Sequence, residues 1–240
     1  MSRPNADFLH ATRSSYDAIA KEYADRFPDS LGLHPVDRAQ VSAFAELVRA
    51  GGPAPVADLG SGPGHVTARL HDLGVPVFGV DVSPRMVELA REAHPHLRFH
   101  VGSMTSLDLP DGTLGGIMGL YSVIHVPDDH LPTAFAEFRR TLVPGGHVLL
   151  CFQFDEGGGR LRLTERFGHP IDLDYHLRTP DTVSAALTAA GLPPVATTVR
   201  APVEDEKRPR AFLLARKPED EGDPDGTDGT DGGPGGASAG

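Results

Sequence analysis

Cysteine occurs once in the 240 residues, tryptophan not at all, and no apolar run approaches the roughly twenty residues needed to cross a bilayer. A lone Cys151 excludes an internal disulfide and fits a reducing compartment. Its setting, Val148-Leu149-Leu150-Cys151-Phe152, marks a buried core thiol rather than a nucleophile. Positive charge is also scarce, with 22 Lys and Arg against 33 Asp and Glu and a net charge of −11. Seven of those acids fall in residues 218–240, which hold no Lys or Arg, so the rest of the chain carries an excess of four. A basic face for nucleic acid is therefore not expected. The Asp-Gly-Thr repeats of 218–240 have too few apolar residues to bury a core, and disorder is expected there. The first residues, Met1 to Asp7, lack the apolar core of a secretory signal. The expectation is a cytoplasmic protein with no membrane segment.

The stretch Val56-Ala57-Asp58-Leu59-Gly60-Ser61-Gly62-Pro63-Gly64-His65 is the most informative. It is an apolar run closing on an acid, followed by glycines at one-residue gaps. This reads as a strand ending in a turn where a nucleotide-like ligand lies against bare backbone, with a helix from His65 whose N-terminus favours anionic groups. Asp81 lies 21 residues beyond Gly60, at the end of a second strand over Val75 to Val80. A carboxylate at that spacing suits the two hydroxyls of a ribose. Ser83, with Pro84 after it, is the better N-cap for the next helix, which leaves Asp81 for a ligand.

Around this centre, Tyr16, Ile19, Ala20, Tyr23 and Phe27 recur at helical spacing, so the segment 1–50 reads as an N-terminal helical lid with two tyrosines on one face. Breakers over Pro28 to Pro35 separate that helix from a second, Val36 to Ala50. Further strands are expected at Leu97–Val101, Gly115–Leu120 and His147–Phe154, with a helix over Leu131–Thr141 stopped by Pro144-Gly145-Gly146. Strand and helix thus alternate five times, which argues for a parallel sheet covered on both faces. Asp155 to Gly168 is loose and glycine-rich, while Ile171 to Leu177 alternates like a strand, so 155–178 reads as a substrate flap. A last helix over Thr182–Ala190 and strands over Val195–Arg200 and Arg210–Arg216 close the domain, 51–217.

These features resemble the class I S-adenosylmethionine-dependent methyltransferases over roughly Tyr16 to Lys217. The first family motif matches Asp58-Leu59-Gly60-Ser61-Gly62-Pro63-Gly64. The acidic ribose ligand matches Asp81 in Val80-Asp81-Val82-Ser83-Pro84-Arg85-Met86, and the turn before strand five matches Leu142-Val143-Pro144-Gly145-Gly146-His147. The resemblance implies an α/β fold: a Rossmann-like, doubly wound, seven-stranded and mostly parallel sheet ordered 3-2-1-4-5-7-6, its last strand antiparallel. It implies S-adenosylmethionine as cofactor, held by the motif from Asp58 through Gly60, Ser61, Gly62 and Gly64 to His65. Asp81 would take the ribose, Val82 and Met86 would flank the adenine, and Gly102, Ser103 and Met104 would meet its edge. Leu120 and Tyr121 would line the floor, and Tyr16 and Tyr23 would close over the top. Many relatives carry an acid where Ser103 or Met104 stands, so a hydroxyl or the backbone must replace it here.

His125, just past strand four, is the candidate base, since its ordinary pKa suits proton transfer near neutrality; the alternative is a histidine that packs beside Pro127. His169, Asp172, Asp174 and His176 match no specific metal-ligand spacing. Two rivals stand beside a small-molecule methyltransferase. A nicotinamide-dependent oxidoreductase normally needs Gly-x-Gly-x-x-Gly, unlike the spacing here. A non-catalytic cofactor-binding protein would share the fold. The Gly- and Pro-rich, acidic composition also fits a bacterial source.

Overall fold

The computed structural model describes residues 5–27, 34–204 and 206–219. The breaker residues 28–33 and the acidic tail from 220 onward lie outside the described residues. Two helices lead, α1 (Asn5–Arg26) and α2 (Pro35–Ala50). The sheet then begins with β1 (Val56–Leu59), α3 (His65–Asp72), β2 (Val77–Asp81), α4 (Pro84–Ala93) and β3 (Arg98–Val101). It continues through β4 (Leu114–Leu120), α5 (Leu131–Thr141) and β5 (Leu142–Gln153). A hairpin, β6 (Arg160–Arg166) and β7 (His169–His176), precedes α6 (Pro180–Ala189), β8 (Pro194–Arg200) and β9 (Arg210–Arg216).

Seven strands form one sheet ordered β3-β2-β1-β4-β5-β9-β8, and β6 and β7 pair apart from it. β1 to β5 run parallel; β9 lies antiparallel to both β5 and β8. With the hairpin set aside this is the order 3-2-1-4-5-7-6, in which strand order reverses between β1 and β4. Ligands in open sheets of this kind bind in the crevice at that reversal.

Because side chains alternate across a strand, β5 sends Val148, Leu150 and Phe152 to one face and Leu149 and Cys151 to the other. The first face packs under Phe135 and Phe138 of α5; the second packs under Phe44 and Val48 of α2 and Leu70 of α3. Burying each such side chain contributes about 1.5–3 kcal/mol. Cys151 is fully buried in that second layer. Gly116 explains part of the glycine content of β4: a Cβ there would lie 2.8 Å from Phe44 Cζ, so α2 seats closer than any larger residue allows.

Several boundaries differ from the sequence reading. α1 starts at Asn5, well before the Tyr16 to Phe27 spacing that announces it, because Phe8, Thr12 and Ser15 continue its buried face. The alternation of strand and helix fails once, since β3 passes to β4 through residues 102–113 without a helix. Pro144-Gly145-Gly146 is not a turn outside the strand but belongs to β5. Gly145 N–H donates to Lys217 O at 3.0 Å and Lys217 N–H to Gly146 O at 2.8 Å, so the chain beyond β9 satisfies this backbone. The loose segment 155–168 contains β6, paired with β7 through the two-residue turn Phe167-Gly168, with φ of 56° and 83°.

Candidate active site

The turn after β1 and the turn after β4 face each other across the strand-order reversal. Gly60 takes φ 77°, and a Cβ on it would come within 2.4 Å of Ser122 Cβ, so only glycine lets the two turns meet. The loop's amides are largely used inside the protein. Gly60 and Ser61 donate to Val80 O at 2.7 and 3.1 Å, Gly64 donates to Ser61 O at 3.0 Å, and Gly62 donates to Asp81 Oδ2 at 2.8 Å. A pyrophosphate wants such amides free; this loop offers a close backbone surface instead.

Asp81 is therefore not as free as its position at the end of β2 suggests. Its Oδ1 accepts from Ser83 N–H at 2.8 Å, while Ser83 caps α4 through Met86 N–H. Each carboxylate oxygen keeps capacity for a second donor. Burial pushes the Asp81 pKa up to about 6, against the pull of those two amides. Asp58 does not reach the cleft. It is buried beneath α3, accepts from Thr67 Oγ1 at 2.7 Å, and is raised by burial to about 7. Ser61, Gly64 and His65 likewise stay out of the lining, and the His65 ring packs edge-on against His94.

The other expected positions converge on one cleft. Gly60 and Gly62 meet Asp81, Val82 and Met86 across it; Gly102, Ser103 and Met104 form a second wall, and Leu120 and Tyr121 the floor. The Ser103 hydroxyl is engaged with Thr105 Oγ1 at 2.8 Å. Tyr121 holds φ 56°, a costly conformation for a tyrosine, with Arg210 5.5 Å from its ring centre. Tyr16 and Tyr23 close the top from α1. α1 lies so low that the open space is about 90 Å³, below the ~300 Å³ at which small-molecule sites begin.

Sequence reasoning missed Phe8, Leu9 and Thr12 of α1 and Ser122 after β4. Extending the Tyr16 spacing back by fours finds Thr12 and Phe8; nothing local marks Ser122. Its Oγ is buried with no hydrogen-bond partner, and the residue is 8% exposed. An orphaned hydroxyl on the cleft wall, facing a turn stripped of side chains, fits the polar end of a bound cofactor.

His125 ends the short 3-10 turn Val123–His125 and is 9% exposed. Its Nδ1 lies 3.3 Å from Asp174 O and its Nε2 lies 2.8 Å from the Tyr16 hydroxyl. A carbonyl only accepts, so Nδ1 carries the proton and Nε2 accepts from Tyr16. Burial pushes the His125 pKa down to about 4 and holds the Tyr16 phenol well above its usual range. Both groups are neutral near pH 7. His125 also borders a second cavity of about 570 Å³, which meets the cleft at Phe8, Thr12 and His125. On β7, Asp172 and Asp174 pair with Arg162 and Arg160 at 2.9 and 3.2 Å, and among the described residues no group of three ligands is placed to hold a metal.

Residues 56–146 match the family described as a methyltransferase domain. The chain is 29% identical over 189 residues to N-demethylindolmycin N-methyltransferase of Streptomyces griseus, covering 68% of this chain and 79% of that protein. It is 28% identical over 152 residues to an uncharacterized methyltransferase of Anoxybacillus flavithermus, covering 63% and 68%. Among solved structures, the 1,6-didemethyltoxoflavin-N1-methyltransferase of Burkholderia thailandensis superposes with a TM-score of 0.68 at 22% identity, covering 91% and 92%. The cyclase SpnF gives the same TM-score at 16% identity, covering 88% and 97%, so likeness at this level speaks for the fold alone. Sequence match, strand order and the Gly60 turn agree: residues 56–146 carry a methyltransferase domain, and the fold is that of the class I S-adenosylmethionine-dependent methyltransferases.

Proposed function

We propose that this enzyme methylates a small molecule, using His125 and Tyr16 to take up the acceptor's proton. The observation that carries the reading is the neutral Tyr16–His125 pair at the junction of the two cavities. S-adenosylmethionine supplies a methyl group already activated on sulfonium. Asp81 would hold the ribose hydroxyls. Ser122 and the Gly60 turn would take the methionine end, and Val82, Met86 and Met104 would enclose the adenine. What remains is alignment and the exclusion of water, which together can contribute about 7–11 kcal/mol. Where the acceptor must lose a proton, it passes to the Tyr16 oxygen as the Tyr16 proton moves onto His125 Nε2. The Asp174 carbonyl then steadies the resulting imidazolium through Nδ1–H.

The domain limits enter the same reading: residues 1–50 as the lid, 51–217 as the cofactor-binding domain with the flap at 155–178. α1 must lift for a cofactor to enter, given the space beneath it. Among the described residues no helix is long and apolar enough to cross a membrane, which supports a cytoplasmic enzyme. One relative is named for methylating N-demethylindolmycin and one structural neighbour for methylating 1,6-didemethyltoxoflavin, which supports a small-molecule acceptor, and the low basic charge argues against nucleic acid. Calorimetry with S-adenosylhomocysteine and with NAD tests the cofactor. Binding of the first alone is expected; binding of NAD alone would replace this reading with an oxidoreductase.

A further inference from the structure

From the second cavity we infer the chemical class of the acceptor, an inference that rests on the methyltransferase reading: a small molecule bearing a positively charged nitrogen, bound with that nitrogen at Asp174. At about 570 Å³ the cavity falls within the range of small-molecule sites. Its wall is continuous with the cofactor cleft through Phe8, Thr12 and His125, so an occupant lies beside the Tyr16–His125 pair.

The charges on its wall are unequal. Asp128, Glu156, Asp172 and Asp174 face Arg160 and Arg178, with Arg162 pairing Asp172 from outside the wall at 2.9 Å, while His125 and His176 are held neutral by burial. Arg178 is 7% exposed and spends its guanidinium on Asp128 Oδ1 at 2.6 Å, on Val123 O at 3.1 Å and on Val126 O. It stitches the 3-10 turn to α6 and offers little to a ligand. Arg160 is the other cation. Its side chain is 52% exposed and its Nε stands 3.2 Å from Asp174 Oδ1, a pairing on the water side that holds weakly. Asp174 itself is 15% exposed, and its Oδ1 is shut off from water with no properly aligned hydrogen bond. The same residue presents its carbonyl to His125 Nδ1. A ligand ammonium entering here displaces Arg160 outward and gives Oδ1 the donor it lacks. A ligand carboxylate would meet Asp174 and Glu156 on the same wall. Phe8, Ala11 and Pro127 supply an apolar surface for the remainder of the ligand.

The test uses the full chain saturated with S-adenosylhomocysteine and follows binding by calorimetry. The probes are arylalkylamines from phenethylamine to tryptamine, each beside its matched carboxylate. The amines are expected to bind and the carboxylates not. Asp174→Asn keeps the backbone carbonyl that orients His125 and is expected to weaken amine binding about tenfold, with S-adenosylhomocysteine affinity unchanged. Glu156→Gln, on an exposed loop, provides a second variant should Asp174→Asn fold poorly, with a smaller loss in the same direction. Carboxylates binding as well as amines, neither series binding, or amine affinity indifferent to both variants would overturn the assignment. Failure of S-adenosylhomocysteine to bind the wild-type chain is a separate result that strikes the methyltransferase reading instead.

Discussion

His125 owes its character to its surroundings. In water an imidazole titrates near 6.5; here burial outweighs its bond to the Asp174 carbonyl and brings it to about 4. If it accepts the acceptor's proton, kcat/KM should stay level as pH falls through 6.5 and decline only toward about pH 4. An acid limb centred near 6.5 would assign the proton to another group. Tyr16→Phe should lower kcat more than it raises KM, because the hydroxyl it removes acts on the proton and not on the fit. Ser122 gives a prediction of opposite signs. A buried hydroxyl without a partner costs about 1–3 kcal/mol, so Ser122→Ala should raise the melting temperature of the free protein. The same change should weaken S-adenosylhomocysteine binding by about fivefold or more. Loss of stability together with unchanged affinity would show that the hydroxyl serves the fold.

Asp58 shows the reverse of His125. Its folded pKa is raised from 3.8 to about 7, so its stabilising contribution is full below the unfolded value and is lost as pH rises toward about 7. Relative to Asp58→Asn, the wild type should therefore melt progressively lower as pH is raised across that interval.

Among the elements, α1 covers the cleft with Phe8, Leu9, Thr12, Tyr16 and Tyr23. Asp17 Oδ1 accepts from Ser83 Oγ at 2.6 Å and from Arg85 N–H at 3.1 Å, which ties α1 to the N-terminus of α4, while Ser15 Oγ accepts from Asp172 N–H at 2.9 Å and ties it to β7. Asp17→Ala removes the first tie, worth about 1–2 kcal/mol by analogy with a helix cap. Faster amide exchange across 5–26, slowed again by S-adenosylhomocysteine, is the expected outcome; unchanged exchange would mean that α1 is held by its apolar face alone. Element boundaries also show where sequence reading stops. Asp155 to Gly168 reads as loose, because a mirror-image two-residue turn usually announces itself with Asn-Gly, and here Phe167 fills the first place. Arg26 and Arg166 lie 4.8 and 5.0 Å from the Phe167 ring centre, which offsets the strained backbone with a contact no local rule reports. The extension of β5 over Pro144-Gly145-Gly146 was hidden for a related reason: its partners, near Lys217, lie some seventy residues away.

At the scale of the molecule, any ligand that binds only the folded chain stabilises it by mass action. S-adenosylhomocysteine at about a hundred times its Kd should add ~2.7 kcal/mol, or roughly 5–10 °C in Tm for a chain of this size. NAD should add nothing; the opposite ranking would favour the oxidoreductase.

The sequence by itself pointed to the fold class, the place of the glycine turn and a nucleotide-like ligand, because glycine spacing, apolar alternation and the Asp81 interval are local patterns that act through backbone geometry. The sheet order followed once the family resemblance was added. Only the tertiary structure decided which groups those residues meet. It left Asp58 behind the loop, gave Asp81 two amides to hold, and set Ser122 against Gly60. It also brought Tyr16 to His125 across 109 residues of chain and opened a second, acidic cavity beside them. Those outcomes depend on which distant groups share a buried space, where a missing partner is costly and a neighbour sets the charge, and no local pattern carries that information.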